Sequence, residues 1–166
     1  PSNDLTPCSE LALYPLWRKA RRVYSLASRL PGTNRLGFQP SMALSEGNTG
    51  DRAGDQMRRG TILISGNAGD YCASRMIAGT LVVLGESGAK TGLAMRRGTL
   101  LLSQEPVSLP ATFNDNGKHN LNFLTLLTRS FQDQAGFSDM WERGCRVQRW
   151  LGDLGCNGKG EIPVWY

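Results

Sequence analysis

A period of 19 residues runs through the middle of this chain, and it restricts the possible folds more than any other feature. Gly47-Asn48-Thr49-Gly50-Asp51 opens a segment that ends Met57-Arg58-Arg59-Gly60-Thr61-Ile62-Leu63-Ile64. Gly66-Asn67-Ala68-Gly69-Asp70 opens a second, ending Met76-Ile77-Ala78-Gly79-Thr80-Leu81-Val82-Val83. Gly85-Glu86-Ser87-Gly88 opens a third, ending Met95-Arg96-Arg97-Gly98-Thr99-Leu100-Leu101-Leu102. Five columns are identical in all three copies: Gly47, Gly66 and Gly85; Gly50, Gly69 and Gly88; Met57, Met76 and Met95; Gly60, Gly79 and Gly98; Thr61, Thr80 and Thr99.

Each copy holds one apolar run of about four residues, too short for a helix. A unit this small cannot bury its own apolar face, so the copies must stack. Stacking pairs each strand in parallel with its counterpart in the next coil. Ile62, Leu81 and Leu100 then form one interior column, Ile64, Val83 and Leu102 a second, and the three methionines a third. Glycine serves where the chain bends at positive φ or where neighbouring backbones crowd. The expectation is a mainly β chain, a parallel β-helix with coils of about 19 residues. Hairpins of an antiparallel sandwich are the alternative, but they favour turns of two to five residues.

The same repeat bears on chemistry. The Gly-x-x-Gly turns lack both the G-x-G-x-x-G and the Walker patterns of phosphate-binding loops. Asp51 and Asp70 align, but Ala89 takes that column in the third copy, and a calcium-binding solenoid needs denser aspartates. Arg58, Arg59, Arg75, Arg96 and Arg97 recur at coil spacing. They are a candidate basic docking strip for an acidic partner or a polyanionic ligand, set against the simpler reading of a solvated face.

Composition closes off other classes. The net charge of +5 is too small to argue for nucleic acid, and the longest apolar run, Leu81–Leu84, cannot span a membrane. Four dispersed cysteines with no C-x-x-C argue for free thiols in a cytoplasmic protein rather than a zinc ribbon or a disulfide framework. His119 is the only histidine. A Ser-His-Asp or Cys-His site could use only this residue, with Asp115 as the nearby carboxylate, and no aligned nucleophile accompanies them. The residues themselves yield no catalytic, metal or cofactor site on this chain.

Three regions follow: residues 1–46 without the repeat, the coils over 47–103, and a C-terminal cap over 104–166. In the first, Leu16, Ala20, Val23, Ala27 and Leu30 make a helical stripe dressed with basic residues. In the cap, Pro110–His119 reads as a loop. Asn120 is placed to cap a helix carrying Leu121, Phe123, Leu124, Leu127 and Phe131. A weaker helical stretch runs from about Ser138 to Leu151, and Asp153–Ile162 reads as a glycine-rich tail.

The run from Gly66 to Val83, the preceding Gly50–Thr61, the motif Met95-Arg96-Arg97-Gly98-Thr99-Leu100, the segment Thr112–Leu127 and the ending Gly158–Ile162 resemble one family. It is the glycine-repeat β-helix family formed by the C-type subunits of formylmethanofuran dehydrogenases and of the bacterial formyltransferase/hydrolase complex. The resemblance covers about residues 47–162. It implies a right-handed β-helix serving as a non-catalytic scaffold, with other subunits of the complex as partners and catalysis residing on them. It further implies one-carbon metabolism in formaldehyde oxidation, with tetrahydromethanopterin and a methanofuran-like carrier as cofactors of the complex rather than of this chain. The Gly-x-x-Gly turns also resemble the glycine-repeat domain of glutamate synthases, where such a domain is a structural spacer. An autonomous enzyme using Asp115 and His119 is the remaining alternative.

Overall fold

The structure, a computed structural model, describes residues 42–131, 134, 137 and 144–166. The helical stripe expected over Leu16–Leu30 lies outside them. Four short strands, β1 (Met42–Ser45), β2 (Thr61–Ile64), β3 (Thr80–Val83) and β4 (Arg97–Leu102), stack in parallel. Their register is one repeat throughout: Thr61 lies beside Thr80 and Thr80 beside Thr99. This is a parallel β-helix with 19-residue coils. The repeat also reaches further back than the sequence suggested, because Met42 pairs with Thr61 and Ser45 with Ile64. Met42-Ala43-Leu44-Ser45 lacks the Gly-Thr start of the other strands, which hid it.

Two apolar clusters sandwich the sheet. Inside the coils, Met57, Met76 and Met95 pack with Leu81, Leu100, Ile64, Val83 and Leu102 around the small residues Ala53, Ala68 and Cys72. Outside, Leu63, Val82 and Leu101 are fully buried beneath Leu124, Phe131, Phe137, Val147 and Trp165. Strand residues alternate faces, so a run such as Leu100-Leu101-Leu102 that is apolar throughout needs cover on both sides.

The C-terminal segment supplies that outer cover and also lengthens the sheet. Its elements are β5 (Asn114–Asn120), α1 (Asn122–Arg129), β6 (Arg146–Gly152), a 3-10 turn (Leu154–Cys156) and β7 (Lys159–Trp165). The sheet order is β1-β2-β3-β4-β7-β6-β5, with β7 parallel to β4 and β6 antiparallel to both its neighbours. Four expectations are corrected here. Residues 114–120 form a strand rather than a loop, since β6 offers them an edge to pair with. Arg146–Gly152 is also a strand, not the end of a helix; Val147, Trp150 and Leu151 suit a sheet paired on both sides. The glycine-rich tail Asp153–Ile162 holds the 3-10 turn and the start of β7, whose Lys159-Gly160 sits beside Arg97-Gly98 as a fourth copy of that step. Finally, Leu121, not Asn120, is the N-cap of α1, and no side chain caps it; Asn120 ends β5 opposite Arg146. The helix faces the outer apolar column through Leu124 rather than sealing an end of the stack.

Candidate functional site

The polar residues of the coils are engaged mainly with one another. Asn48 Oδ1 accepts the backbone N–H of Asn67 at 2.9 Å, and Asn67 Oδ1 accepts that of Glu86 at 2.9 Å. Asp51 Oδ1 accepts the N–H of Asp70 at 2.9 Å, and Asp70 Oδ1 accepts that of Ala89 at 2.8 Å. These are two ladders of side-chain oxygens, each reaching into the following coil. They explain the glycines. A Cβ on Gly69 would fall against Asp51 Oδ1 and 2.7 Å from the Asp51 backbone nitrogen, and one on Gly66 against Asn48 Oδ1 and 2.7 Å from the Asn48 nitrogen. The aligned aspartates are hydrogen-bond acceptors for backbone. Among the described residues, no three His, Cys, Asp or Glu side chains gather as a metal site.

Arg75 leaves the basic strip. Its guanidinium is bidentate on Asp55, with Nε 3.0 Å from Oδ1 and a second, shorter contact from NH2 to Oδ2. Ser74 Oγ donates to the same carboxylate at 2.9 Å, and Arg52 lies 3.9 Å from it. The Asp55 side chain is only 2% exposed. Burial alone would raise its pKa; the hydrogen bonds from Arg75 and Ser74 and the charges of Arg75 and Arg52 outweigh that and hold it below the usual carboxylate range.

Arg58, Arg59, Arg96 and Arg97 are exposed. Ile77 and Ala78 stand between the two pairs in the middle coil, so the pairs are about 10 Å apart, two strand spacings. The structure adds a cation the sequence pattern did not include: Lys159, the Cα partner of Arg97. The signal was its Lys-Gly step, matching Arg59-Gly60 and Arg97-Gly98 across a non-repeating spacing. None of these five has an ion-pair partner among the described residues. Beside them Arg149 pairs with Glu161 at 2.8 Å, and Thr99 Oγ1 donates to Glu161 at 2.7 Å. Arg149, Lys159 and Glu161 line an open groove of about 400 Å³.

A second feature of the outer surface is a stacked column one coil apart. Arg52 and Lys90 lie 5.3 Å and 5.2 Å from the centroid of the Tyr71 ring, one from the coil before and one from the coil after. Lys90 Nζ donates to the Tyr71 hydroxyl at 3.0 Å. These contacts tie coils together, and all three residues hold positive φ.

Asp115 and His119 are not brought together. Asp115 accepts from the Gly117 N–H at 2.7 Å and from Gln148 Nε2, while His119 Nε2 meets the Asn116 carbonyl at 2.8 Å. Both belong to β5 and brace the bulge in its pairing with β6. Cys72 is fully buried in the coil interior, and burial pushes its thiol up to about 12. Cys145 and Cys156 are free and partly exposed.

Fold and ladders define a glycine-repeat parallel β-helix whose polar side chains mostly join coil to coil. Among solved structures, the chain is similar to one in the crystal structure of the formyltransferase/hydrolase complex (FhcABCD) from Methylorubrum extorquens in complex with methylofuran. Identity is 38%, the TM-score is 0.69, and the match covers 82% of this chain and 52% of that one. The likeness is therefore one of sequence as well as fold, to one subunit in a multi-subunit enzyme, and the chain spans about half the length of the chain it matches. No protein-family model and no curated protein matches it. No helix among the described residues is long and apolar enough to cross a membrane.

Proposed function

We propose that the chain is a non-catalytic scaffold of the C type in a formyltransferase/hydrolase complex of tetrahydromethanopterin-linked one-carbon metabolism. The observation that carries this reading is the 38% identity, at a TM-score of 0.69, to a chain of such a complex. The character of the coils supports it: their interior is methionine and aliphatic side chains, and their Asn and Asp side chains hold backbone. On this reading a methanofuran-like carrier belongs to the complex and binds on other subunits.

The exposed cations Arg58, Arg59, Arg96, Arg97 and Lys159 give the scaffold a surface suited to an acidic partner subunit. Affinity purification of the tagged chain from its source organism, followed by mass spectrometry, tests the assignment. Formyltransferase and amidohydrolase-like subunits are expected to co-purify. Recovery of the chain alone overturns the assignment. If those subunits are recovered with wild type, charge reversal at Arg96 and Arg97 lowers their yield, most steeply at low salt.

A further inference from the structure

Asp115 and His119 do not touch each other, but they hold one peptide group from its two sides. Between them the pairing of β5 with β6 slips: Asp115 lies beside Trp150 and Lys118 beside Gln148, so Asn116 and Gly117 together face Arg149. Such a bulge takes its residues out of the ladder. It sits on the last strand of the sheet, and Asn116 is exposed. Gly117 has φ of 80°, and a Cβ there would meet nothing within 4 Å.

The amide that joins Asn116 to Gly117 is bonded at both ends. Its N–H donates to Asp115 Oδ1 at 2.7 Å, and its carbonyl oxygen lies 2.8 Å from His119 Nε2. A carbonyl only accepts, so Nε2 carries the proton of that bond. Gln148 Nε2 donates to the same Asp115 oxygen and fixes the carboxylate at the bulge. A carboxylate on the N–H and a donor on the carbonyl both favour loss of the amide proton, which makes the nitrogen a nucleophile. The side-chain amide nitrogen of Asn116 lies 3.0 Å from the same Nε2. Asn-Gly is also the dipeptide in which the absence of a Cβ leaves the backbone nitrogen least obstructed.

We infer that Asn116-Gly117 is a self-modification site, at which Asn116 deamidates with Asp115 as base and His119 as acid. The Gly117 nitrogen forms a bond to the Asn116 side-chain carbonyl carbon, and its proton passes to Asp115. The bond from that carbon to Nδ2 breaks. The imidazolium form of His119 gives its Nε2 proton to the departing nitrogen, which leaves as ammonia. Asp115 returns its proton to the ring through solvent. Water then opens the succinimide at either carbonyl, leaving aspartate or isoaspartate at position 116. No oxidant or other co-reactant is needed, and the inference does not depend on the complex proposed above.

The chain carries its own control, because Asn157-Gly158 is the same dipeptide and Asn157 is exposed too. There the Gly158 N–H donates to the Asp153 backbone carbonyl at 2.9 Å, and no carboxylate or imidazole is bonded to that peptide among the described residues. The full chain is incubated at neutral pH, and mass spectrometry of its peptides follows aspartate and isoaspartate at both sites over time. In the folded chain Asn116 is expected to convert at least about tenfold faster than Asn157, the low end of what a positioned acid or base contributes. In urea the two sites should convert at similar rates. Asp115→Asn and His119→Gln should each remove most of the lead while Asn157 keeps its rate, which reports that the variant is folded. An Asn116 no faster than Asn157 in the folded chain overturns the inference, as does a lead that persists in urea. The wild-type comparison decides this without either variant. A lead that either substitution leaves unchanged overturns the role given to that residue.

Discussion

Gly50 and Gly69 occupy the same column, one coil apart, and alanine at the two positions should have opposite effects. At Gly69 the added Cβ falls against Asp51 Oδ1, 2.7 Å from the Asp51 nitrogen and 2.8 Å from the Gly50 carbonyl carbon. Backbone on the far side of the contact gives the methyl nowhere to go, so the two coils must separate locally. Separation breaks the bond from the Asp70 N–H to Asp51 Oδ1 at 2.9 Å and stretches the one from the Gly69 N–H to the Thr49 carbonyl at 3.1 Å. Losing a hydrogen bond to a charged group costs about 1.5–3 kcal/mol and overpacking about 1–3 kcal/mol, so about 3–5 kcal/mol is expected for Gly69→Ala. In a chain of this size that lowers Tm by roughly 6–20 °C. Gly50→Ala meets no neighbour and removes freedom from the unfolded chain, which predicts no loss and up to about 1 kcal/mol of gain. Thermal unfolding of the two variants, followed by circular dichroism, gives the comparison. Equal shifts for both, or a larger loss at Gly50, would refute the argument that side chains of the preceding coil dictate these glycines.

Other consequences are open to the same kind of measurement. Met76→Asp puts an unpaired carboxylate at a fully buried point of the middle coil and should cost several kcal/mol or more, enough to unfold the chain; an unchanged thermal midpoint would exclude Met76 from the interior. Asp55 is held below its ordinary pKa, so its contribution to stability is complete above about pH 4 and disappears as pH falls through the lower, folded value. The urea midpoint of wild type should therefore drop on acidification more than that of Asp55→Asn. Leu124→Ala opens the cover over Leu63, Val82 and Leu101; a loss of about 2–5 kcal/mol together with increased binding of a hydrophobic dye is expected. Cys72, with its thiol pushed up to about 12, should resist iodoacetamide at pH 8 until the chain unfolds, while Cys145 and Cys156 react in the folded state.

The stack was legible because it is written several times over. Identity at five columns shows self-similarity without any comparison to other proteins, and the apolar runs fix which residues share a column. The reason for each glycine was not legible. Gly60, Gly79 and Gly98 have φ of 92°, 114° and 109°, whereas the columns opening at Gly47 and Gly50 are glycine because of what lies one coil away. Much of the sharp bending falls on other residues: Arg52, Tyr71 and Lys90 share a left-handed column, as do Gln56, Arg75 and Ala94. Composition cannot reveal such positions, since nothing about arginine or tyrosine announces a positive φ. The C-terminal segment was harder for a different reason. Its strands occur once, with no internal copy to compare, and Pro163 disguises β7 because proline lacks the N–H a strand between two neighbours normally donates. The β4–β7 register runs from Arg97–Lys159 to Thr99–Glu161 and resumes at Leu102–Val164, and Pro163 falls in the gap. Among the basic residues, spacing grouped Arg75 with the others, but only coordinates could show that Asp55, from the previous coil, claims it.

The outer apolar column has a consequence for how the chain is made. Leu63, Val82 and Leu101 belong to strands that a ribosome delivers before the side chains that shield them, Leu124 through Trp165. By residue 102 the four parallel strands of the stack exist in full, yet one flank still shows leucine and valine to the surroundings. That flank is a paired, apolar sheet surface, the kind of surface on which nascent chains adhere to one another. Synthesis that stalls short of Trp165 therefore leaves a sticky intermediate, and the segment from Leu124 to Trp165 acts as its internal chaperone.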